Sequence, residues 1–182
     1  PPELAASMRA SSLFLGALLA RQGEASLSLP GGCPIGARPV DYHLLAFRAL
    51  GAEVTETDDT IHCRARRLTG AKITLPGPSV GATENAMLAA IGAKGVTTVS
   101  NAAREPEIVD LQAFLQKLGA SVHGAGTSTV VIEGAEEPLH GCCHRILGDR
   151  IAAATYLAAA AASGGDIFLR DVDYRHLSTV TG

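Results

Sequence analysis

A repeated phrase constrains this chain more than any other feature of its sequence. Leu50-Gly51-Ala52, followed by Val54, recurs as Leu118-Gly119-Ala120, followed by Val122. A glycine directly after the last helical residue can take the left-handed conformation that ends a helix before a strand begins. The two copies lie roughly 70 residues apart, a spacing that suits a module of helices and strands better than a short solenoid repeat. The chain is therefore predicted to contain a duplicated α/β unit.

The predicted elements follow the same order in both copies. The first copy comprises a helix over about 6–20, a strand over 25–29, a helix over about 40–50 and a strand over 60–63. The second comprises a helix over about 83–93, a strand over 96–100, a helix over about 107–118 and a strand over 129–132. A third copy opens with a helix over about 150–162 and a strand over 166–169. Alternating helices and strands predict α/β layers, and the alanine-rich helices are expected to be buried between sheets.

Composition limits the classes of partner. The chain has 182 residues, 47% hydrophobic and 18% charged, which suits a soluble globular protein with a substantial core. A net charge of −3 and the lack of tryptophan argue against a nucleic-acid partner. The longest apolar run, Ile151–Ala162, is too short to span a membrane and is interpreted as a buried helix. Four cysteines form no evident disulfide framework, and no export leader is recognised, so a cytoplasmic location is expected.

One loop has the composition of a reactive site. Cys33 lies in a glycine-rich segment, five residues before Arg38 and close to a predicted helix start at Pro39–Asp41. The positive end of a helix and a guanidinium both favour a thiolate, which is the nucleophilic form of cysteine. The alternative is a tight turn that carries an inert cysteine.

Together with the repeat, four motifs in order resemble the enolpyruvyl transferases, and among them the UDP-N-acetylglucosamine 1-carboxyvinyltransferases of bacterial cell-wall synthesis. Besides the loop Leu29–Asp41, the motifs are Met8–Ser11, Pro78–Asn85, Asn101–Asp110 and Gly148–Ile151. The resemblance implies a fold of repeated β-α-β-α-β-β units in two domains with the active site between them. It assigns residues 1–147 to most of the first domain and 148–182 to the start of the second. The missing remainder of that second domain would then be a partner of this chain.

The resemblance also implies roles at the reacting group. Cys33 corresponds to the family's loop cysteine, which can form an adduct with phosphoenolpyruvate and is the target of the antibiotic fosfomycin. Arg9 and Arg38 correspond to phosphoenolpyruvate ligands, because a phosphate and a carboxylate require forked, permanently charged donors. The alternative for Arg9 is an ordinary arginine on a helix surface. The family's Lys-Asn pair and its proton-transferring aspartate lie outside this sequence.

Further residues correspond to the binding site for UDP-N-acetylglucosamine. Arg38, Pro39, Val40, Asp41 and Tyr42 match the segment that holds the uridine. Ser79, Val80 and Gly81 match the loop that donates N–H groups to the diphosphate, although the same residues would also suit a proline-rich turn. Glu105, Glu107 and Asp149 are also assigned to the substrate site. Local chemistry alone leaves the alternative that Glu105 and Glu107 cap the helix that begins near Pro106.

Two positions depart from the family pattern, and one cluster invites a different interpretation. Gly77 replaces a lysine found in some relatives, and Ala152 replaces a glutamate found in many. The cluster His140-Gly-Cys142-Cys143-His144 contains metal-ligating residue types. Adjacent cysteines in a predicted strand would point to opposite faces, so no metal site is assigned.

The resulting expectation is transfer of the enolpyruvyl group of phosphoenolpyruvate to the 3-hydroxyl of UDP-N-acetylglucosamine, with no metal or organic cofactor. Two alternatives stay open. The chain could be an inactive fragment that retains a UDP-sugar-binding half-site. It could also belong to a related enolpyruvyl transferase, such as that of aromatic biosynthesis, which would not bind the UDP-sugar.

Overall fold

A computed structural model describes residue 4, residues 7–28 and residues 39–181 of the chain. The chain divides into two compact units, Pro1–Cys142 and Cys143–Gly182. The predicted domain boundary after residue 147 lies inside the second unit and stays a prediction. Across the described residues, no helix is long and apolar enough to cross a membrane.

The first unit contains both complete copies of the repeat. Its first half comprises a 3₁₀ helix Arg9–Ser12, α1 Leu13–Gln22, β1 Glu24–Ser28, α2 Asp41–Ala49, β2 Glu53–Glu56 and β3 Thr60–Arg64. Its second half comprises β4 Lys72–Thr74, α3 Val80–Ile91, β5 Val96–Ser100, α4 Pro106–Lys117, β6 Ser121–His123 and β7 Thr129–Glu133. The predicted helix–strand order is confirmed, with the ends of most elements shifted by one to three residues.

The two copies of the repeat pair their strands in the same way. One sheet has the order β1-β3-β2, and the other has the order β4-β5-β7-β6. Arg64 of β3 lies opposite the first residue of β1, Glu24, and the first residue of β2, Glu53, in antiparallel pairs. Glu133 of β7 likewise lies opposite Val96 and Ser121, the first residues of β5 and β6. The duplication therefore extends to the register, while β4 adds a parallel strand to the second copy only.

The two repeated glycines end helices α2 and α4 as their positions predict. Gly51 has a φ of 91° and Gly119 a φ of 98°, both in the region that side chains disfavour. Each follows a leucine, Leu50 or Leu118, at the helix C-terminus. Turning the chain here lets the following strand join its sheet.

Helix α3 is the centre of the first unit, and nearly all of its residues are buried or half-buried. Helices α1, α2 and α4 pack around it. Gly16 of α1 brings the two helices together, since a Cβ there would lie 2.5 Å from Oδ1 of Asn85. A Cβ on Gly92, directly after α3, would lie 2.8 Å from the Cβ of Ala20. The expectation of alanine-rich buried helices is confirmed for α3.

The second unit contains α5 Arg150–Ser163, a 3₁₀ helix Tyr174–Leu177 and α6 Ser178–Thr181. The helix predicted over about 150–162 is confirmed, but the prediction that it is buried is wrong, because only Ala153 of α5 is buried. The described residues of this unit form no sheet that the helix could cover. The strand predicted over 166–169 is also wrong, since no neighbouring strand in this unit pairs with it. Phe168 is instead 84% exposed.

The cluster His140–His144 has no regular secondary structure, so the strand expected there is also wrong. Both Cys142 and Cys143 are exposed thiols. Among the described residues, no group of three or more histidine, cysteine, aspartate or glutamate side chains is placed to hold a metal ion. His62 and Cys63 lie in β3 as ordinary strand residues, as the sequence predicts.

Candidate functional site

Ser79 caps the N-terminus of α3. Its backbone is extended, with φ −144° and ψ 118°, and its hydroxyl accepts a 3.4 Å hydrogen bond from the N–H of Ala82. Val80 and Gly81 are the first residues of the helix, where backbone N–H groups have no intrahelical acceptor. The predicted diphosphate loop therefore ends at a capped helix N-terminus, which favours anionic ligands.

The predicted uridine segment lies beside this helix start. Pro39 and Val40 precede α2, and Asp41 is its first residue. Arg9 donates a 3.2 Å hydrogen bond to the carbonyl oxygen of Pro39, which joins the 3₁₀ helix to the start of α2. The hydroxyl of Tyr42 approaches Gly77 in the loop before α3. Three separate parts of the chain thus meet at one place.

They enclose a cleft of about 520 Å³. The cleft is lined by residues from three sources: the start of the chain, the entry to α2 and the first turns of α3. These are Arg9, Ala10, Ser12, Leu13, Pro39, His43, Ser79, Val80, Gly81 and Glu84. Five residues predicted for the substrate site, Arg9, Pro39, Ser79, Val80 and Gly81, are among them.

A buried amide connects the walls of the cleft. The Oδ1 of Asn85 accepts a 2.9 Å hydrogen bond from the N–H of Gly16, and its Nδ2 donates a 2.9 Å bond to the carbonyl oxygen of Ser12. The same Nδ2 lies 2.6 Å from Nδ1 of His43. Asn85 is fully buried, so it fixes α1, α2 and α3 to one another through its hydrogen bonds.

His43 is a neutral side chain at the wall of the cleft. Burial lowers the pKa of its imidazole to about 4, Arg9 acts in the same direction, and Asp41 opposes them. A Cβ on Gly81 would lie 3.1 Å from Cε1 of the ring. The absence of a side chain at Gly81 therefore leaves room for His43 at the N-terminus of α3.

Glu84 brings an acid to the same cleft. Burial raises the pKa of its carboxyl to about 7, and the negative charge of Glu107 on α4 raises it further. A carboxyl group that titrates near neutral pH can hold or release a proton there, unlike an ordinary glutamate. Glu84 and Arg9 both line the cleft.

Glu105 lines a second cleft, of about 420 Å³, with Pro78, Asn101 and Arg104. Pro78 and Ser79 are neighbours in sequence, so the two clefts flank the same loop. The carboxylate of Glu105 accepts a 2.8 Å hydrogen bond from the N–H of Arg104. Although Glu105 occupies the N-cap position of α4, its side chain makes no capping bond, and Glu107 lies in the first turn of that helix.

Val40 and Asp41 lie between the lining residues Pro39 and His43 in sequence but do not line the cleft themselves. Asp149 belongs to the second unit, where its carboxylate accepts hydrogen bonds from the N–H groups of Ile151 and Ala152 and caps α5. Val40 is buried, and Asp41 is exposed at the start of α2. Cys33 and Arg38 fall outside the described residues.

Sequence reasoning assigned no role to His43, Glu84 or Asn85. The sequence contained a signal for two of them, because Glu84 and Asn85 are strongly polar residues inside a mostly apolar, alanine-rich helix. Polar residues at buried helical positions require hydrogen-bond partners, which marks them as structural or functional contacts. His43 carried no such signal, since it follows two other polar residues.

Comparisons with known proteins identify the family. A sequence model of the EPSP synthase (3-phosphoshikimate 1-carboxyvinyltransferase) family matches residues 1–181. The chain belongs to this family.

The chain is 52% identical over 180 residues to UDP-N-acetylglucosamine 1-carboxyvinyltransferase 1 of Caldanaerobacter subterraneus subsp. tengcongensis, covering 99% of the chain and 43% of that enzyme. It is 53% identical over 180 residues to the protein of the same name from Carboxydothermus hydrogenoformans, with the same shares covered. The chain thus spans less than half the length of these curated relatives.

Solved structures agree with the fold. The enolpyruvyl transferase NikO from Streptomyces tendae superposes with a TM-score of 0.73 at 29% identity, covering 88% of this chain and 38% of NikO. An EPSP synthase from Acinetobacter baumannii superposes with a TM-score of 0.61 at 23% identity, covering 86% of this chain and 36% of that structure. The second comparison supports the fold alone.

Proposed function

We propose that the chain forms one wall of an active site that transfers the enolpyruvyl group of phosphoenolpyruvate to the 3-hydroxyl of UDP-N-acetylglucosamine. The observation that carries this proposal is the cleft itself. It unites Arg9, Pro39 and Ser79–Gly81, which come from distant parts of the chain and were each predicted as substrate ligands.

The cleft has the chemistry that a phosphorylated substrate requires. The N-terminus of α3 offers backbone N–H groups and a positive dipole end to the diphosphate of the nucleotide. Arg9 adds a permanent positive charge, and its bond to the carbonyl oxygen of Pro39 keeps it at the cleft. In this proposal, Pro39–Tyr42 hold the uridine, while Glu105 and Glu107 contact the sugar nucleotide.

The reaction would proceed by addition and elimination. The 3-hydroxyl of the sugar adds to C2 of phosphoenolpyruvate, and a proton adds to C3, which gives a tetrahedral intermediate. Loss of phosphate and of a C3 proton then restores the double bond as a vinyl ether. Arg9 and Arg38 would stabilise the phosphate and carboxylate charges, and Cys33 would act at the reacting group and bind fosfomycin. The remainder of the second domain would supply the other wall.

Identity to curated relatives favours the UDP-sugar as acceptor. Relatives that carry the name UDP-N-acetylglucosamine 1-carboxyvinyltransferase match 99% of the chain at 52% and 53% identity. The alternative is a half-site without turnover. This alternative predicts binding of UDP-N-acetylglucosamine without phosphate release.

The test combines calorimetric binding with phosphate release. The chain is titrated with UDP-N-acetylglucosamine and, separately, with 3-phosphoshikimate, and phosphate is measured after addition of phosphoenolpyruvate. We expect binding of the UDP-sugar only, and at least tenfold weaker binding by Arg9→Ala, because a bond from a charged donor is lost. Arg21→Ala, an exposed arginine on α1, is the matched control. Binding of 3-phosphoshikimate instead, or of neither ligand, would contradict the proposal, and phosphate release would exclude the inactive half-site.

A further inference from the structure

Two exposed thiols lie next to each other in the segment after β7. Cys142 and Cys143 are both exposed, and residues 138–149 around them have no regular secondary structure. The proposed function gives neither thiol a role. Exposure makes a cysteine accessible to solutes that react with its thiolate. The pair is therefore a candidate site of chemical modification.

The backbone at the pair has room to change its conformation. The N–H of His140 donates a 3.0 Å hydrogen bond to the carbonyl oxygen of Leu118, which holds the chain just before the pair. Among the described residues, no backbone–backbone hydrogen bond involves 141–143. A Cβ on Gly141 would have no atom within 4 Å, so open space lies beside the first cysteine. New backbone angles at 141–143 would break no described backbone hydrogen bond.

Among the described cysteines, each thiol of the pair has only the other as a reaction partner. Cys63 lies in β3 with 0% of its surface exposed, and burial raises the pKa of its thiol to about 11. A buried, protonated thiol is a poor nucleophile. Cys142 and Cys143 are joined by one peptide bond, which sets their Cα atoms about 3.8 Å apart.

That spacing favours a labile disulfide over a permanent crosslink. Most disulfides join Cα atoms roughly 4.4–6.8 Å apart, so a bond between adjacent residues closes a tight ring and is more easily reduced. Strained or exposed disulfides have more oxidising potentials than structural ones. A disulfide between these neighbours would form in the presence of an oxidant and be reopened by small thiols.

We propose that Cys142 and Cys143 form a reversible oxidation site that reacts with hydrogen peroxide and closes to a disulfide between neighbours. One thiolate attacks a peroxide oxygen, the O–O bond breaks, and the released hydroxide takes up a proton to give water and a sulfenic acid. The second thiol attacks the sulfenic sulfur, the S–S bond forms, and the S–O bond breaks to release a second water. Two thiols and one peroxide thus give one disulfide and two waters. This chemistry is independent of the proposed function.

The second thiol makes the oxidation reversible. A sulfenic acid without a partner can be oxidised further to a sulfinic acid, which thiols do not reduce. The attack of a neighbouring thiol is intramolecular and therefore competes well with a second peroxide molecule. A dithiol reductant then opens the disulfide by exchange, is itself oxidised to a disulfide, and returns both cysteines to thiols.

The test is peptide mapping by mass spectrometry after stepwise addition of hydrogen peroxide to the chain. Trypsin cleavage after Lys117 and Arg145 gives a peptide, 118–145, that contains both cysteines of the pair and no other. We expect this peptide to lose two hydrogens, both thiols to become resistant to alkylation together, and dithiothreitol to restore both. The peptide 49–64, which contains Cys63, is the internal control and should stay reduced.

Single variants separate a paired site from two independent thiols. Cys142→Ser and Cys143→Ser each leave one exposed thiol without its neighbour, in a segment where serine is readily accommodated. Each variant should accumulate about tenfold more sulfinic acid than wild type at the same peroxide dose, and dithiothreitol should not recover it. Reduced glutathione should reopen the wild-type disulfide, as its strain predicts.

Three results would overturn the site and leave the proposed function intact. One is a sulfinic acid yield in wild type equal to that of the single variants. Another is a disulfide that joins either cysteine to Cys33 or to a second chain, detected as linked tryptic peptides. The third is a pair that stays reduced at peroxide doses that oxidise the single variants. Loss of two hydrogens within 118–145, reversed by dithiothreitol, would support the site whether or not the chain binds UDP-N-acetylglucosamine.

Discussion

Asn85 Nδ2 lies 2.6 Å from Nδ1 of His43, and this contact joins the central helix α3 to a residue of the candidate substrate cleft. The contact spans 42 positions in sequence. It couples the packing of α1, α2 and α3 to the geometry of the site, since the same amide also holds Ser12 and Gly16.

Replacing the Asn85 side chain should lower the stability of the fold. Asn85→Ala removes the side-chain bonds to the N–H of Gly16 and the carbonyl of Ser12, and it leaves Nδ1 of His43 without this partner in a buried environment. We expect the free energy of unfolding to fall by about 3 kcal/mol, measured by urea denaturation. Gln112→Ala, which removes a 2.9 Å bond to the N–H of Ala125 in a part-buried site, should cost only about 1 kcal/mol. Equal losses in the two variants would contradict the network.

The close approach of α1 and α3 predicts intolerance at Gly16. An alanine Cβ would lie 2.6 Å from the backbone oxygen of Asn85, so the helices would have to separate. Gly16→Ala should lower the free energy of unfolding by about 1–3 kcal/mol in thermal or urea denaturation. Gly141→Ala is the matched control, because no atom lies within 4 Å of its added Cβ. A neutral effect at Gly16 would show that the helices are not in contact there.

His43 and Glu84 should give opposite pH dependences of stability. Burial lowers the pKa of His43 from 6.5 to about 4, so unfolding takes up a proton and stability is lost as pH falls from 6.5 toward 4. The shift corresponds to about 3 kcal/mol. Burial raises the pKa of Glu84 from 4.5 to about 7, so its contribution to stability is lost as pH rises through that interval.

Single variants should expose the two effects. Relative to wild type, Glu84→Gln should gain stability as pH rises from 4.5 to 7, and His43→Gln should gain stability as pH falls from 6.5 to 4. Urea denaturation across pH 4–8 checks both trends, with His62→Gln as a control for loss of an exposed imidazole. Parallel curves for wild type and either variant would contradict the assigned environments.

Cysteine reactivity should differ sharply along the chain. Burial raises the pKa of the Cys63 thiol to about 11, so little thiolate exists at neutral pH. Peptide-mapped alkylation should therefore modify the exposed Cys142 and Cys143 well before Cys63. Cys33, if it is the proposed loop nucleophile, should react fastest, and UDP-N-acetylglucosamine should change its rate alone. Rapid alkylation of Cys63 in the folded chain would contradict its position in the core.

Local signals in the sequence predicted much of the first unit. The glycines at positions 51 and 119 end helices, and the repeated phrase marks two units with the same order of helices and strands. These features depend on neighbouring residues and on backbone preferences, which can be recognised in a single sequence.

Features that depend on long-range contacts could not be predicted from the sequence. The exposure of 151–162 and the missing strand at 166–169 depend on which other elements cover or pair with them, and composition does not identify those partners. The roles of Asn85 and His43 likewise depend on α1, α2 and α3 meeting in space. Sequence motifs supplied Arg9, Pro39 and Ser79–Gly81 for the cleft, but the hydrogen bonds that arrange it required the structure.

The central claim, that one cleft binds the sugar nucleotide, is tested most directly by hydrogen–deuterium exchange with and without UDP-N-acetylglucosamine. The account predicts slower exchange in peptides that cover 39–43 and 79–84 together, with little change in β2 and β3. Arg9→Ala should weaken this protection at a fixed ligand concentration. Protection confined to other segments, or none at saturating ligand, would contradict the assignment of this cleft as the substrate site.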